Sequence, residues 1–184
     1  MGPIDIAIDV PVRYIEVPGE PVAKGRPRFT SGGVAFTPKK TSDAETLVEN
    51  QFRMFYPDVE PFPLDAELLM CIVFWKSKHG KPDLDNLEKL VKDALNGLAY
   101  ADDQQVKHTD CSMLEPDRMA WGKRARRLVK WRTGMPITYG GKPYEPNTQI
   151  HIEPATGTIH TINKRRYEVM EEITKDAGTQ AEYR

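Results

Sequence analysis

The chain has two cysteines in 184 residues, Cys71 and Cys111. Two thiols make no disulfide framework, so the fold has to rest on a hydrophobic core. Cys71 lies inside the apolar run LLMCIVFW and reads as a small buried hydrophobe. No apolar run approaches the length of a membrane-spanning helix, and the N-terminus has no basic stretch followed by an apolar one. A cytoplasmic protein with no membrane association is the expectation. The four histidines, His79, His108, His151 and His160, lack metal-ligand spacing, and there is no internal repeat. Net charge is scarce as well: 26 basic against 27 acidic residues leave −1 at pH 7. That total conceals an uneven distribution. Residues 118–132 carry seven Lys or Arg and no acid, whereas 168–182 is net acidic. A local basic patch binds phosphates whatever the total charge.

What is present fits one domain over residues 1–184, long enough for a sizeable core. Residues 1–12 alternate weakly and read as a loose arm. RYIEV at 13–17 reads as a strand ended by Pro18 and Gly19. Residues 20–40 are rich in Pro, Gly and basic groups: Lys24, Arg26, Arg28, Lys39 and Lys40. Phe29, Val34 and Phe36 interleave with them, which suits a short hairpin through Ser31, Gly32 and Gly33. Residues 41–56 predict a helix, capped by Thr41 or Ser42, with Glu45 at capping-box spacing. Residues 66–75 predict a central strand buried on both faces, leading to Lys76, Lys78, His79 and Lys81. Residues 105–114 predict a further strand. In 118–132, Gly122 argues against one unbroken helix, and 128–131 suits a strand. Pro136, Pro143 and Pro146 mark a loop. QIHIE at 149–153 is the candidate closing strand of the sheet, and 163–177 the candidate C-terminal helix.

The stretch 81–106, KPDLDNLEKLVKDALNGLAYADDQQV, organises the rest. Leu84, Leu87, Leu90, Val91, Ala94, Leu95 and Leu98 recur at helical spacing and predict a buried stripe. Asp85, Lys89, Asp93 and Asn96 fall on another side. Pro82 precedes the helix, Asp83 or Asp85 is placed to cap it, and Gly97 to stop it. The plain reading of an Asp at a helix start is a cap and nothing more. The chemical reading is a pair of carboxylates two residues apart, which converge if the first is still extended. Carboxylates that hold a magnesium ion and leave positions open suit phosphodiester cleavage. Lys89, one turn from Asp85, is placed to donate to a phosphate oxygen or orient a water. Asp103 stands 18 residues after Asp85 and returns to the same place if the strand that follows pairs beside the central strand. Asp93 reads as structural, paired with Lys89 or Lys92.

PDLDN, the Lys four residues after the second Asp, then DALNG and DDQQV resemble the RusA family of Holliday-junction resolvases. GEPVAKGRPRF and FTPKKT resemble its basic N-terminal segment more loosely. The resemblance implies a mixed α/β (α+β) fold: a small sheet of about four strands with two main helices packed on it. It leaves a basic insertion at about 115–148 and a C-terminal tail at about 155–184. It implies a dimeric, magnesium-dependent endodeoxyribonuclease (manganese standing in for magnesium) that cuts four-way junctions or other branched DNA in recombination and repair. Carried over residue by residue, it makes Asp83, Asp85, Asp103 and Lys89 catalytic and the three aspartates metal ligands. Asp102 then caps a turn while Asp103 ligates.

The DNA path is expected over Lys24, Arg26, Arg28, Lys39, Lys40, Lys76, Lys81, Arg124, Arg126 and Arg127. On charge alone these are equally solvated loops, but Trp121 and Trp131 among the basic residues of 118–132 favour DNA contact. Two other readings stand beside nuclease action on junctions. One is a non-catalytic, structure-selective DNA-binding protein that retains the fold, against which the complete set of acids and lysine speaks. The other is a nuclease for other branched or flapped substrates.

Overall fold

A computed structural model describes residues 11–122, 127–132 and 134–176. In chain order it has β1 (Arg13–Pro18), β2 (Arg28–Phe29), β3 (Ala35–Phe36), α1 (Lys39–Phe55), β4 (Leu68–Trp75) and α2 (Leu84–Leu95). There follow a short 3-10 turn (Asp103–Gln105), β5 (Val106–Leu114), β6 (Met119–Gly122), β7 (Arg127–Lys130), β8 (Thr138–Tyr139) and β9 (Lys142–Pro143). β10 (Asn147–Pro154) and α3 (Ile159–Asp176) complete it.

The eight residues of β4 are apolar and all buried, as a strand covered on both faces must be. The sheet order is β1-β10-β4-β5, with β4 and β5 parallel and the other pairs antiparallel. On one face Leu68, Met70, Ile72 and Phe74 meet Val48 and Phe52 of α1 and Leu87, Leu90, Val91 and Leu95 of α2. On the other face Leu69, Cys71, Val73 and Trp75 meet Val169 and Ile173 of α3. The sheet is therefore the middle layer between two helices and one. The expected four-stranded mixed sheet is present, and the C-terminal extension supplies the helix that covers its second face.

Several expectations shift. QIHIE lies inside β10, but β10 sits between β1 and β4, so it is an interior strand and not the closing one. α1 begins at Lys39 behind Pro38 and has no side-chain cap. Thr41 is buried instead, and its hydroxyl accepts from the Gly25 N–H at 3.0 Å. A Cβ on Gly25 would come within 2.8 Å of that hydroxyl, so the residue permits the close approach. The hairpin through Gly32 and Gly33 forms as β2–β3, and within the basic segment β6 pairs antiparallel with β7. α2 stops before Gly97, whose φ of 72° a residue with a Cβ adopts only under strain.

α3 is pinned by charge as well as by apolar contact. Glu153 of β10 is buried; it receives the Arg165 guanidinium through two bonds, at 2.9 and 3.1 Å, and meets His151 Nε2 at 2.8 Å. Burial alone would raise the Glu153 carboxyl, but the bonds from His151 and Arg165 outweigh it and hold it down at about 2. Arg166 reaches across to β5, donating to the Thr109 carbonyl at 3.0 Å.

Candidate active site

β4 ends at Trp75, and residues 76–83 cross its end to start α2. Asp83 stands at the N-cap position with extended backbone, φ −75° and ψ 147°. Its carboxylate makes no capping bond, contrary to the plain expectation for an acid there. Asp85, in the first turn, is exposed and among the described residues takes only a 3.3 Å contact from the Asn86 amide. Lys89 is exposed one turn on, as the side of α2 opposite its buried stripe requires. Both carboxylates stand at the N-terminal end of α2, where the backbone N–H groups of the first turn point. Two exposed hard-oxygen donors at one helix start and an ammonium one turn away thus share one surface.

Asp103 does not join them within the chain. β5 does pair beside β4, as expected, but in parallel, so it starts at the other end of the sheet. The Lys92 ammonium donates to the Thr109 hydroxyl at 3.0 Å, and Cys111 lies beside Glu88. α2 therefore runs antiparallel to β5, and Asp103 lies at its far end. Twelve helical residues span about 18 Å. Among the described residues no group of three His, Cys, Asp or Glu is arranged to hold a metal ion. The turn that carries Asp103 is itself firmly built. Asp102 accepts from the Gln104 N–H at 2.8 Å and completes a capping box with Gln105. Gln105 is buried and donates to the carbonyls of Pro63 at 2.6 Å and Ala66 at 3.2 Å. Asp103 is exposed on that support.

The basic residues divide by their surroundings. Lys24 is not free for phosphate: its ammonium sits between Glu45 of α1 and Asp93 of α2, 2.7 Å from the latter. Asp93 is thus structural, but through Lys24 and not Lys89 or Lys92. Lys76 is fully buried, bonded to the Gly80 carbonyl and 3.3 Å from Glu115. Lys39 pairs with Asp43 at 2.9 Å on the surface. Arg26, Arg28, Lys40, Lys81 and Arg127 are exposed, while Arg124 and Arg126 lie outside the described residues. The Lys24 N–H donates to the Asn86 carbonyl at 2.8 Å, so the basic β2–β3 hairpin springs from a segment tied to the first turn of α2. Sequence reading missed Glu115, whose carboxylate gathers Lys76, His79 and the Gly80 N–H around the loop. The available signal was a lone acid one residue past β5, beside a basic stretch one residue past its neighbour β4.

No curated protein matches the chain significantly. The family model described as endodeoxyribonuclease RusA matches residues 18–129, more than half of the 184. That segment contains the loop, α2, the Asp103 turn, β5 and the basic hairpin tied to α2. The chain therefore belongs to the RusA endodeoxyribonuclease family, a family of Holliday-junction resolvases.

Proposed function

We propose that the protein is a magnesium-dependent nuclease that cuts four-way junctions in DNA recombination and repair, acting as a homodimer. The observation that carries this reading is the pair of uncapped aspartates, Asp83 and Asp85, at the start of α2 with Lys89 one turn along. Oxygen donors of this kind suit magnesium, or manganese in its place. Two carboxylates are few for a held ion, and Asp103 of the same chain lies a helix length away. A second copy that lays its Asp103 turn against the start of α2 completes the set. The reading thus makes dimerisation a condition of the chemistry. It also matches the target, because a four-way junction is two-fold symmetric and needs two incisions.

Asp83 and Asp85 of one protomer and Asp103 of the other would hold the ion. When bound, it offsets phosphate charge and lowers the pKa of an attached water. The Lys89 ammonium donates to the oxygen where negative charge develops. The β2–β3 hairpin brings Arg26 and Arg28 to the same end and holds the DNA by its phosphates, which sets register without reading sequence. Phe29, 70% exposed, and Phe36, 44% exposed, are apolar surface on that hairpin and stack on bases where pairing is broken.

The test is cleavage of a synthetic four-way junction with and without magnesium, beside the same arms as linear duplex. Paired, symmetric incisions in the junction alone support the reading. Equal cutting of the duplex, or cutting in chelator, overturns it.

A further inference from the structure

Glu115, the first residue after β5, lies outside the acid motif, yet holds the loop that carries it. Its Oε1 accepts from the Gly80 N–H at 2.7 Å and lies 3.3 Å from the Lys76 ammonium. Its Oε2 meets His79 Nδ1 at 2.7 Å. The Lys76 N–H donates to the Leu114 carbonyl at 3.0 Å, and the Lys76 carbonyl accepts from the Tyr144 hydroxyl. The bond from His79 foremost, then those from Gly80 and Lys76, keeps the Glu115 carboxyl at about 2, so it is charged at neutral pH. The Lys76 side chain is fully buried, and with the neutral Gly80 carbonyl as its other partner its charge would go uncompensated without Glu115.

All these contacts fall within residues 76–80. Only Lys81 and Pro82 separate them from Asp83, and the proline ring fixes one of the intervening torsions. The Asp83 carboxylate has no hydrogen-bond partner of its own among the described residues. Its place is set by the backbone that carries it, which is held on one side by α2, whose Leu87 N–H donates to the Asp83 carbonyl at 3.3 Å, and on the other by the 76–80 loop that Glu115 fastens.

We propose that Glu115 is a positioning residue of the nuclease site: it fastens the 76–80 loop to the end of β5 and so aims Asp83 and Asp85. This rests on the reading of those aspartates as the catalytic acids. Glu115 touches neither DNA nor reacting atoms, and its effect passes through the loop.

The experiment compares wild type, Glu115→Gln, Glu115→Ala and Asp83→Asn. Single-turnover cleavage of a synthetic junction is measured across magnesium concentrations, junction affinity in calcium, and folding by thermal melting. A misplacement of catalytic groups by a fraction of an ångström to 1 Å costs on the order of 10- to 100-fold in rate. Glu115→Ala is expected to show such a loss and to need more magnesium for half its maximal rate, with junction affinity unchanged. Glu115→Gln, which keeps an acceptor for the Gly80 N–H, falls between. Should Glu115→Ala fail to fold, the pair Lys76→Met with Glu115→Ala removes the stranded ammonium and carries the same expectation. Folded variants with wild-type rate and magnesium dependence overturn the proposal, as does a loss confined to affinity. An inactive Asp83→Asn beside a fully active Glu115→Ala overturns it alone. Undiminished cleavage by Asp83→Asn overturns the aspartate reading and this proposal with it.

Discussion

The Lys92 ammonium donates to the Thr109 hydroxyl at 3.0 Å, and this contact shows the sense in which α2 lies on β5. With β4 and β5 parallel, the helix between them must run back down the sheet. Asp83 is consequently at the top of the layer and Asp103 at its foot.

A composite site predicts complementation. Asp83→Asn and Asp103→Asn are each expected to abolish cleavage while junction binding survives, since each loses a carboxylate and no phosphate contact. Mixing the two inactive proteins and allowing subunits to exchange should restore nicking. In the mixed dimer one site carries both lesions and the other carries none. A site built within one chain would leave both sites of that dimer damaged, so a silent mixture would rule out the shared arrangement.

Lys89→Ala is expected to lower the single-turnover rate by roughly 10²–10³, the usual worth of one donor at a developing charge. Affinity for the junction should change little. A loss seen only in the dissociation constant would make Lys89 a docking residue.

Neutralising Arg124, Arg126 and Arg127 together tests the β6–β7 segment. Each phosphate contact contributes about 0.9 to the slope of log affinity against log salt, so the slope should flatten by up to about 3 units. Junction and duplex should weaken alike, and cleavage at saturating protein should persist. An unchanged slope would confine the DNA path to Arg26, Arg28, Lys40 and Lys81.

Glu153 predicts acid sensitivity. Its folded carboxyl is held at about 2, below an ordinary value of 4.5, so its contribution is complete above about 4.5 and is lost as pH falls toward 2. Glu115 contributes with the same sign over the same window. Glu153→Gln should destabilise by about 3 kcal/mol, the low end for a broken buried pair, because Arg165 is 36% exposed. Its melting temperature should then vary less with pH between 4.5 and 2 than that of wild type. An identical profile would mean that the Glu153 carboxyl is not a source of the acid sensitivity.

The layers of this fold were legible where pattern alone decides them. Eight consecutive buried residues marked β4, the leucine spacing marked α2, and Gly32-Gly33 marked the β2–β3 turn. Pattern states which face is buried, but not which strand lies beside which or in what sense. That is why β10 was expected at an edge and Asp103 beside Asp83. The fate of individual charges was equally hidden. Lys24 finds Asp93 at a separation of 69 residues, and Lys76 finds Glu115 at 39. Nothing local distinguishes these lysines from Lys40 or Lys81, which remain on the surface.

The placement of β10 between β1 and β4 bears on when the protein becomes complete during synthesis. Ile15 pairs with Ile150, and Ile150 with Ile72. As residues 18–129 emerge from the ribosome, the whole family-matched segment exists while β1 has no sheet to join and one edge of β4 is bare. Closing a loop of that length costs entropy before any pairing rewards it, so the sheet forms late. Until β10 arrives, the bare side of β4 offers an apolar edge to other nascent chains. Asp83, Lys89 and Asp103 have all been translated by then, which separates the making of the proposed catalytic groups from the moment the sheet that positions them is complete.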